Sequence, residues 1–540
     1  MAAPHEKLAQ SLLALQALQK AGGRVVQSRE LRRADRERLL ENGFLQEVMK
    51  GWLISCSPGT RADSTPWYAS FWEFCARYCD QRFGQAWHLS PEQSLMLLAE
   101  NTVIPKQVVV FSPKGTNHKL ELVFGTSLYE LKSDMPDAAA LTERSGLQLL
   151  SPAAALVKMP ESFFSRQPIE TQVVLAGLRD ASDLLRLLLS GGNSVKAGIL
   201  AGALRRIVRA ELADEIVKTM STAGYNARES DPFAAASSFG VLPVELSPIV
   251  GRIRVMWKTM RDNVAANFPE PPGLPRDKRA YLEFVDDIYK SDAYHSLSIE
   301  GYRVTPQLIE RVQQGNWDPE RHDDDRKSRD ALAARGYWQA FQRVKGTVAE
   351  VIAGANPGAR ARATHMDWYR ELVQPCVAAG IVPAASLAGY RNDAVYLRTS
   401  RYVPPRWEAV RDAMPELFDR LEQEEHPGVR AVLGHWLYGY IHPYPDGNGR
   451  MARFVMNAML ASGGYPWTVI RVEDRDAYLS ALDAASIDMK VAPFTALVAE
   501  RVRWSIRKRV LSGGSVAKSL RSRRRSANSS KRGSIQSSRI

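Results

Sequence analysis

The stretch that decides most about this chain is His442-Pro443-Tyr444-Pro445-Asp446-Gly447-Asn448-Gly449-Arg450-Met451-Ala452-Arg453. Its two glycines leave the backbone free to present successive N–H groups in a concave turn that binds anions. Apolar residues then recur at helical spacing from Met451, so a helix should begin here and direct the positive end of its dipole to the same point. Arg450 and Arg453 lie three residues apart on its first turn. These features predict a site for phosphate groups.

Two further side chains in this stretch suit chemistry on a phosphate ester. His442 is the one residue there that accepts a proton near neutral pH without help from its surroundings. Asp446 offers the hard oxygen ligand that magnesium takes when phosphate oxygens complete its shell. A Gly-Asn-Gly fragment alone is an ordinary turn signal, and a single histidine after an apolar helix is more often structural. The complete set at this spacing instead predicts a catalytic site.

The stretch resembles the signature of Fic domains, His-x-aromatic-x-(Asp/Glu)-Gly-Asn-Gly-Arg-x-x-Arg, with Tyr444 where phenylalanine is usual. The resemblance implies transfer of AMP from ATP to a Ser, Thr or Tyr hydroxyl of a protein, which can be the chain itself. It also implies that His442 deprotonates this hydroxyl and that Asp446 holds Mg²⁺ between the α- and β-phosphates. The groups that it assigns to the phosphate oxygens are the amides of Gly447, Asn448 and Gly449 and the side chains of Arg450 and Arg453. Positioning and charge neutralisation of this kind are what phosphoryl-type transfer mainly needs.

A second segment, Ser296-Leu297-Ser298-Ile299-Glu300-Gly301, fits the Ser/Thr-x-x-x-Glu-Gly/Asn inhibitory motif that many Fic proteins carry on a helix. Because it precedes the 442–453 stretch, the chain resembles the subclass whose inhibitory helix comes before the Fic core. In that subclass the motif, here Ser296, Glu300 and Gly301, brings its carboxylate to the second arginine. Glu300 would then pair with Arg453 and fill the space that the γ-phosphate needs. Without the resemblance, Glu300 would be an ordinary solvated helix residue.

A third segment follows Gly389-Tyr390-Arg391-Asn392. Its residues Val395, Tyr396 and Leu397 predict a short strand, and residues 401–403 predict the returning strand. In Fic domains a hairpin at this place docks the backbone of the target by strand addition. We therefore expect a target-docking β-hairpin flap here, with an ordinary surface hairpin as the alternative.

The helix predicted around Tyr478 and Ser486 resembles the one that supplies an aromatic residue and an asparagine to the base pocket of Fic domains. Both residues are therefore expected to line that pocket. Ser486 stands where the amide is common, so the donor stays open between ATP and another nucleotide or phosphate-bearing group. A Fic enzyme that removes AMP, with Glu300 orienting a water molecule, is a further alternative.

Composition bounds the class and the setting of the protein. The chain has 540 residues, of which 45% are hydrophobic and 24% charged, as in folded globular proteins of several domains. It has four cysteines, no uninterrupted apolar run of about 18 residues and no basic-then-apolar leader, so we expect a cytoplasmic protein without a membrane partner. Of the net charge of +13, the residues from 511 onward contribute eight basic side chains and no acidic one. A tail of this composition should be disordered.

The first sixty residues predict helix, helix, helix and hairpin, the element order of a winged helix. Arginines at positions 24, 29, 32, 33, 36 and 38 could neutralise DNA phosphates, although acidic residues are interleaved with them. A region with helices and strands, the latter at 107–111 and 119–124, follows. By pattern, about 1–235 resembles the winged-helix antitoxins of abortive-infection systems. The rival to the enzyme is therefore a DNA-binding toxin–antitoxin-type regulator whose Fic domain senses nucleotide or modifies itself.

The predicted fold class is multidomain and mainly α: a winged helix and a mixed α+β region, followed by an all-α Fic domain with a β-hairpin flap. The partners that this organisation suggests are ATP, a protein substrate, DNA and a second copy of the chain in a homodimer. The predicted boundaries are a winged helix at 1–60, an antitoxin-like region at 61–235, a linker at 236–248, a Fic domain with its inhibitory helix at 249–510 and a basic tail at 511–540.

Overall fold

The fold is known from a computed structural model. The residues that it describes are 4–59, 63–233, 247–315 and 329–509. The predicted tail at 511–540 and nearly all of the predicted linker at 236–248 lie outside them. By internal contacts the chain forms two compact units, which are Met1–Thr259 with Asp393–Ala413, and Met260–Asn392 with Met414–Ile540. Helices predominate in both, so the prediction of a mainly α, multidomain protein is confirmed.

Each element of the first unit has defined bounds. Its helices are α1 (Pro4–Gly22), α2 (Arg33–Glu41), α3 (Thr65–Phe83), α4 (Pro91–Leu98), α5 (Pro152–Lys158), α6 (Glu161–Arg166), α7 (Pro168–Ala176), α8 (Ser182–Ser190), α9 (Ser194–Arg206) and α10 (Ala210–Thr222), and α11 (Pro248–Asn267) begins in it. Its strands are β1 (Val25–Gln27), β2 (Leu45–Met49), β3 (Trp52–Ser55), β4 (His88–Leu89), β5 (Gln107–Ser112), β6 (His118–Glu121), β7 (Ser127–Lys132), β8 (Leu141–Arg144) and β9 (Leu147–Leu150).

The front of the first unit is a small helix-and-sheet assembly. The predicted hairpin is present as β2 and β3, and β1 adds to it in the antiparallel order β1-β3-β2. The predicted short second helix is a single 3-10 turn at Ser28–Glu30. Strand β1 was not predicted, because its three residues carry no alternation that could be read from sequence. The assignment as a winged helix stays a prediction.

The second sheet of this unit has the order β4-β5-β7-β6. The predicted strand at 107–111 is present as β5. Of the strand predicted at 119–124, only the part up to Glu121 is present, as β6, because a 3-10 turn at Val123–Gly125 follows it, and β5 and β6 do not pair with each other. Strand β7 lies between them, parallel to β5 and antiparallel to β6. Aromatic residues of α3, among them Trp67, Phe71 and Phe74, pack against this sheet in one apolar core.

The predicted flap does not form its two strands. Residues 395–397 and 401–403 have no strand structure, and a turn joins Leu397 to Ser400 through a hydrogen bond of 3.3 Å. Arg401 O instead accepts a hydrogen bond from Ile104 N at 2.9 Å, and Thr399 N donates to Thr65 Oγ1 at 3.2 Å. The hairpin prediction was wrong because these main-chain groups bond to residues about 300 positions away rather than to each other.

The second unit is helical throughout its described part. Its helices are α12 (Lys278–Ile299), α13 (Pro306–Gln313), α14 (Arg329–Ile352), α15 (Pro357–Ala378), α17 (Pro427–Ile441), α18 (Asn448–Ala461), α19 (Arg475–Asp488) and α20 (492–509), with α16 (Trp407–Gln423) ending in it. Helix α18 packs against α12, α14, α15 and α17. Because all its side chains are buried, α18 is a central helix rather than an amphipathic surface one. Its N-terminus is consequently held from several sides.

Among the described residues, no helix combines the length and the apolar character that crossing a membrane requires.

Candidate functional site

The site is the loop that joins α17 to α18. Its first residue, His442, has a left-handed backbone conformation with φ of 53° and ends α17. Its last residue, Gly447, is also left-handed at φ of 86° and caps the N-terminus of α18. The first hydrogen bond along α18 runs from Met451 N to Gly447 O. The three preceding N–H groups, those of Asn448, Gly449 and Arg450, are therefore left without a partner within the helix, and the binding of an anion by the predicted amides of Gly447, Asn448 and Gly449 stays a prediction.

Asn448 holds the loop in shape. Its Oδ1 accepts from Tyr444 N at 2.9 Å, and its Nδ2 donates to Tyr444 O at 2.7 Å. The Asn448 side chain is buried, and the ring of Tyr444 stacks on Tyr369 with ring centroids 3.5 Å apart. The side chain of Asn448 thus fixes the turn, which leaves its main-chain amide for the predicted binding of an anion.

Replacing Asn448 by aspartate tests whether its side chain acts as a clamp that holds the loop in shape. We expect Asn448→Asp to lower the free energy of unfolding by about 2–4 kcal/mol, because a buried charge would face the Tyr444 carbonyl in place of an amide donor. Chemical denaturation of purified protein measures this. The matched control is Asn356→Asp at the exposed N-terminus of α15, where aspartate caps a helix as well as asparagine does. Equal stability of both variants would contradict the assignment of Asn448 as a clamp.

His442 is set up as a proton acceptor. Its Nδ1 lies 3.2 Å from the carbonyl oxygen of Gly439, so Nδ1 carries the ring proton and Nε2 is the acceptor. The imidazole is half-buried, and no hydrogen bond joins Nε2 to the described residues. Burial lowers the pKa of His442 to about 4, and the charge of Arg391 acts in the same direction. The ring is therefore neutral at physiological pH.

The two arginines of the loop are both buried. Arg450 Nη2 lies 3.1 Å from Asp446 Oδ2, and its guanidinium lies over the ring of Tyr302 at 5.1 Å. The Asp446 side chain is 69% exposed, so its carboxylate can also take a ligand from solution. Arg453 donates from Nε to Ser296 Oγ at 2.8 Å and from Nη2 to Ser296 O at 3.0 Å.

The carboxylate of Glu300 lies at the start of α18. Its Oε1 accepts from Arg453 Nη2 at 2.7 Å. The same oxygen would lie 2.2 Å from a Cβ atom added to Gly449, so the carboxylate rests on the backbone at the start of α18. An acidic group at this place is stabilised by the helix dipole and by the arginine together. The predicted pairing of Glu300 with Arg453 is thus present in the structure.

The end of α12 explains how Glu300 reaches this position. Gly301 is left-handed at φ of 85°, Gly301 N donates to Ser298 O, and Tyr302 N donates to Leu297 O. This pair of bonds is a Schellman motif, which closes a helix and reverses the chain. Because glycine accepts the left-handed conformation without strain, Gly301 lets α12 stop directly after Glu300. The reversal then brings Tyr302 over Arg450.

Tyr478 and Ser486 lie under the site rather than on its surface. Tyr478 OH hydrogen-bonds His435 Nε2 at 2.7 Å and lies 3.5 Å from Arg453 Nη1. Ser486 Oγ accepts from Trp436 Nε1 at 3.0 Å. With exposed fractions of 2% and 6%, they offer little surface to a base in this state, and their predicted role in a base pocket stays a prediction.

Two residues of the site, Tyr302 and Arg391, were not predicted from sequence. Tyr302 directly follows the inhibitory motif, and this adjacency was a usable signal. Arg391 Nε donates to His442 O at 2.8 Å, although the two residues are 51 positions apart. No local sequence pattern predicts a contact between residues so far apart in the chain.

Several of the arginines near the N-terminus already have partners within the first unit. Arg33 pairs with Glu37 at 2.7 Å, Arg36 donates to Ser28 O at 3.1 Å and Arg38 donates to Ser11 Oγ at 2.6 Å. The pairing with Glu37 offsets the charge of Arg33, and DNA binding stays a prediction.

Comparison with known proteins identifies the region around the loop. A family model described as "Fic/DOC family" matches residues 364–460, which include the 442–453 loop but not Ser296 or Glu300. The chain is 39% identical over 114 residues to "Protein adenylyltransferase Fic" of Nematostella vectensis, which is 20% of this chain and 26% of that protein. It is 31% identical over 122 residues to "Protein adenylyltransferase fic-1" of Caenorhabditis elegans, which is 22% of this chain and 23% of that protein. The chain thus spans about a quarter of the length of these curated relatives.

Among solved structures, Fic-1 from C. elegans aligns with 66% of this chain and 99% of that chain, at 17% sequence identity and a TM-score of 0.37.

Proposed function

The chain carries a Fic/DOC family domain at residues 364–460, and from this premise we propose that the protein transfers AMP from ATP to hydroxyl groups of proteins, itself included. Two relatives of this region are named protein adenylyltransferases, which supports the proposal. We propose further that the described conformation is the inhibited one, with Glu300 in the place of a phosphate group.

The observation that carries the proposal is the position of the Glu300 carboxylate. It lies on the backbone of Gly449 and on the guanidinium of Arg453, where the N-terminus of a buried helix favours negative charge. The carboxylate thus has both a helix N-terminus and a buried guanidinium as its partners. An arrangement of this kind suits a triphosphate that competes with the glutamate.

The chemistry follows from the groups present. The target hydroxyl oxygen attacks the α-phosphorus while Nε2 of His442 takes the hydroxyl proton. The bond from the α-phosphorus to the bridging oxygen breaks, and pyrophosphate leaves with the bonding electrons. Arg450, Arg453 and the amides at the start of α18 hold the charge that develops on the phosphate oxygens.

Asp446 fits the part of a magnesium ligand. Its carboxylate is 69% exposed, and Mg²⁺ in nucleotide sites commonly takes one or two carboxylates, with phosphate oxygens and water as its other ligands. In the described residues no group of three or more His, Cys, Asp and Glu side chains is arranged to hold a metal by itself. When bound, Mg²⁺ would neutralise charge on the triphosphate. Magnesium and ATP together are thus the proposed requirement.

The nature of the donor can be tested by intact mass. Purified Glu300→Gly protein is incubated with ATP, GTP, CTP or UTP, each with and without Mg²⁺. We expect a mass gain of one or more AMP units with ATP and Mg²⁺ only, and peptide mapping should locate it on hydroxyl side chains. A gain with another nucleotide alone would change the proposed donor. No gain with any nucleotide in Glu300→Gly, together with loss of AMP from a previously modified protein on incubation with the wild-type chain, which keeps Glu300, would favour AMP removal instead.

A further inference from the structure

The end of α17 is held by one buried arginine. The carbonyl groups in the last turn of a helix have no partner within the helix and need one elsewhere. Here Arg391 donates from Nε to His442 O at 2.8 Å and from Nη2 to Ile441 O at 3.4 Å. The main-chain N–H of the same residue donates to Pro443 O at 2.9 Å. Three consecutive carbonyl groups around the catalytic base are therefore bound by Arg391, whose side chain is 2% exposed.

The conformation at His442 needs such support. A left-handed backbone is unfavourable for residues with a Cβ atom and persists where the surroundings impose it. Pro443, the next residue, has no N–H group and cannot continue the helix. The chain must turn at His442, and its carbonyl group is then directed to the Arg391 guanidinium. Without that guanidinium, the left-handed turn would leave buried carbonyl groups unpaired.

The turn decides which ring nitrogen can accept a proton. With His442 left-handed, its Nδ1 reaches back to Gly439 O at 3.2 Å, and Nε2 is left as the acceptor. A different backbone conformation would break this contact and release the ring to other rotamers and to the other tautomer. The backbone at His442 thus controls the orientation of the base.

We propose that Arg391 is a positioning residue that keeps the imidazole of His442 in its reactive orientation and tautomer by binding the carbonyl groups at the end of α17. This inference rests on the proposed function, because it assigns His442 as the base. It concerns a residue that touches neither nucleotide nor target hydroxyl in that function. Arginine suits the task because its planar fork reaches two carbonyl groups at once, whereas a lysine ammonium is a single point of charge.

The charge of Arg391 gives the proposal a second readout. Among the charged groups that act on the His442 ring, Arg391 favours the neutral form, whereas Glu300 and Asp446 favour the protonated form. Its loss should therefore raise the pKa of His442. A role confined to global stability would leave this pKa unchanged.

The test uses Arg391→Met and Arg391→Lys, each in the full chain that also carries Glu300→Gly. We expect Arg391→Met to lower kcat of auto-modification about 10- to 100-fold, with little change in KM for ATP, because the base is misplaced while the nucleotide site is intact. The acid limb of its pH profile should move to higher pH. Arg391→Lys should keep the acid limb of the parent, because the charge remains, and should recover only part of kcat.

The matched control is Arg430→Met. Arg430 is half-buried in α17 and donates from Nε to Leu421 O at 3.1 Å. It therefore binds a carbonyl group near the end of α16, which is 21 positions before His442 in the sequence. We expect this variant to lower Tm while kcat and the pH profile stay those of the parent. If Arg391→Met behaves like Arg430→Met, with only Tm reduced, the positioning role is overturned.

A failure of the proposed function can be distinguished from a failure of the inference about Arg391. If the Glu300→Gly parent transfers no AMP, nitrogen NMR of the histidine rings still reports the tautomer and pKa of His442. We then expect the Nδ1–H form in the parent and, in Arg391→Met, a raised pKa with loss of that single tautomer. An unchanged ring spectrum in folded Arg391→Met would contradict the inference whatever the activity.

Discussion

Glu300→Gly should raise auto-modification with labelled ATP about 10- to 100-fold over the wild-type chain. A hydrogen bond to a charged group contributes about 1.5–3 kcal/mol, and each 1.4 kcal/mol corresponds to about a tenfold change in an equilibrium. The Glu300 side chain is 31% exposed, so water weakens the pair and the lower part of this range is the better expectation. The end of α12 should be retained, since the helix ends at Ile299 and Glu300 follows it as the C-cap residue.

Two further variants separate charge from shape at this position. Glu300→Gln keeps the contact with Gly449 and loses the charge, so its rate should lie between wild type and Glu300→Gly. The matched control is Glu310→Gln, because Glu310 also forms an ion pair, with Lys290 at 2.6 Å, but on the surface. Its rate should equal that of wild type. Equal labelling of the wild-type, Glu300→Gln and Glu300→Gly proteins would defeat the inhibitory assignment.

Removal of the base in the Glu300→Gly chain should nearly abolish transfer. General base catalysis contributes about 10²–10⁴-fold, and His442→Asn should lose that factor while still binding ATP. Asparagine is the better replacement because it tolerates the left-handed backbone at position 442 more readily than alanine does. Initial rates of label transfer and the affinity for ATP are the two measurements.

The control for this variant lies at the other end of the same helix. His426 caps the N-terminus of α17 through its Nδ1, which accepts from Val429 N at 3.2 Å. Asparagine is also a good cap, so His426→Asn should keep the full rate. Retention of the parent rate by His442→Asn would show that another group takes the proton.

The pH profile gives an independent check on His442. The base works in its neutral form, and burial lowers its pKa to about 4, so the rate should fall only as the pH drops toward that value. Removing Glu300 takes away a negative charge that favours the protonated ring, so the acid limb of the pH profile should move to lower pH. A histidine with an ordinary pKa would instead lose activity below about pH 6.5.

The local geometry of the 442–453 loop could be predicted from sequence because all its parts lie within twelve consecutive residues. Glycines, a helix start and two arginines three apart define local geometry, and local geometry follows from local sequence. The four-residue spacing of Ser296 and Glu300 likewise placed both on one face of a helix.

Contacts between distant segments were decided only by tertiary structure. Glu300 and Arg453 are 153 positions apart. Their ion pair, and the contact of the Glu300 carboxylate with the backbone at Gly449, exist only once α12 and α18 have packed. The contact of Arg391 with the end of α17 and the hydrogen bond between Arg401 and Ile104 likewise join residues that are far apart in the sequence. Periodicity and turn signals report how a segment bonds to itself. They carry no information about which distant group will satisfy a carbonyl or a charge after the helices have packed, and that choice fixes His442 and Glu300 in place.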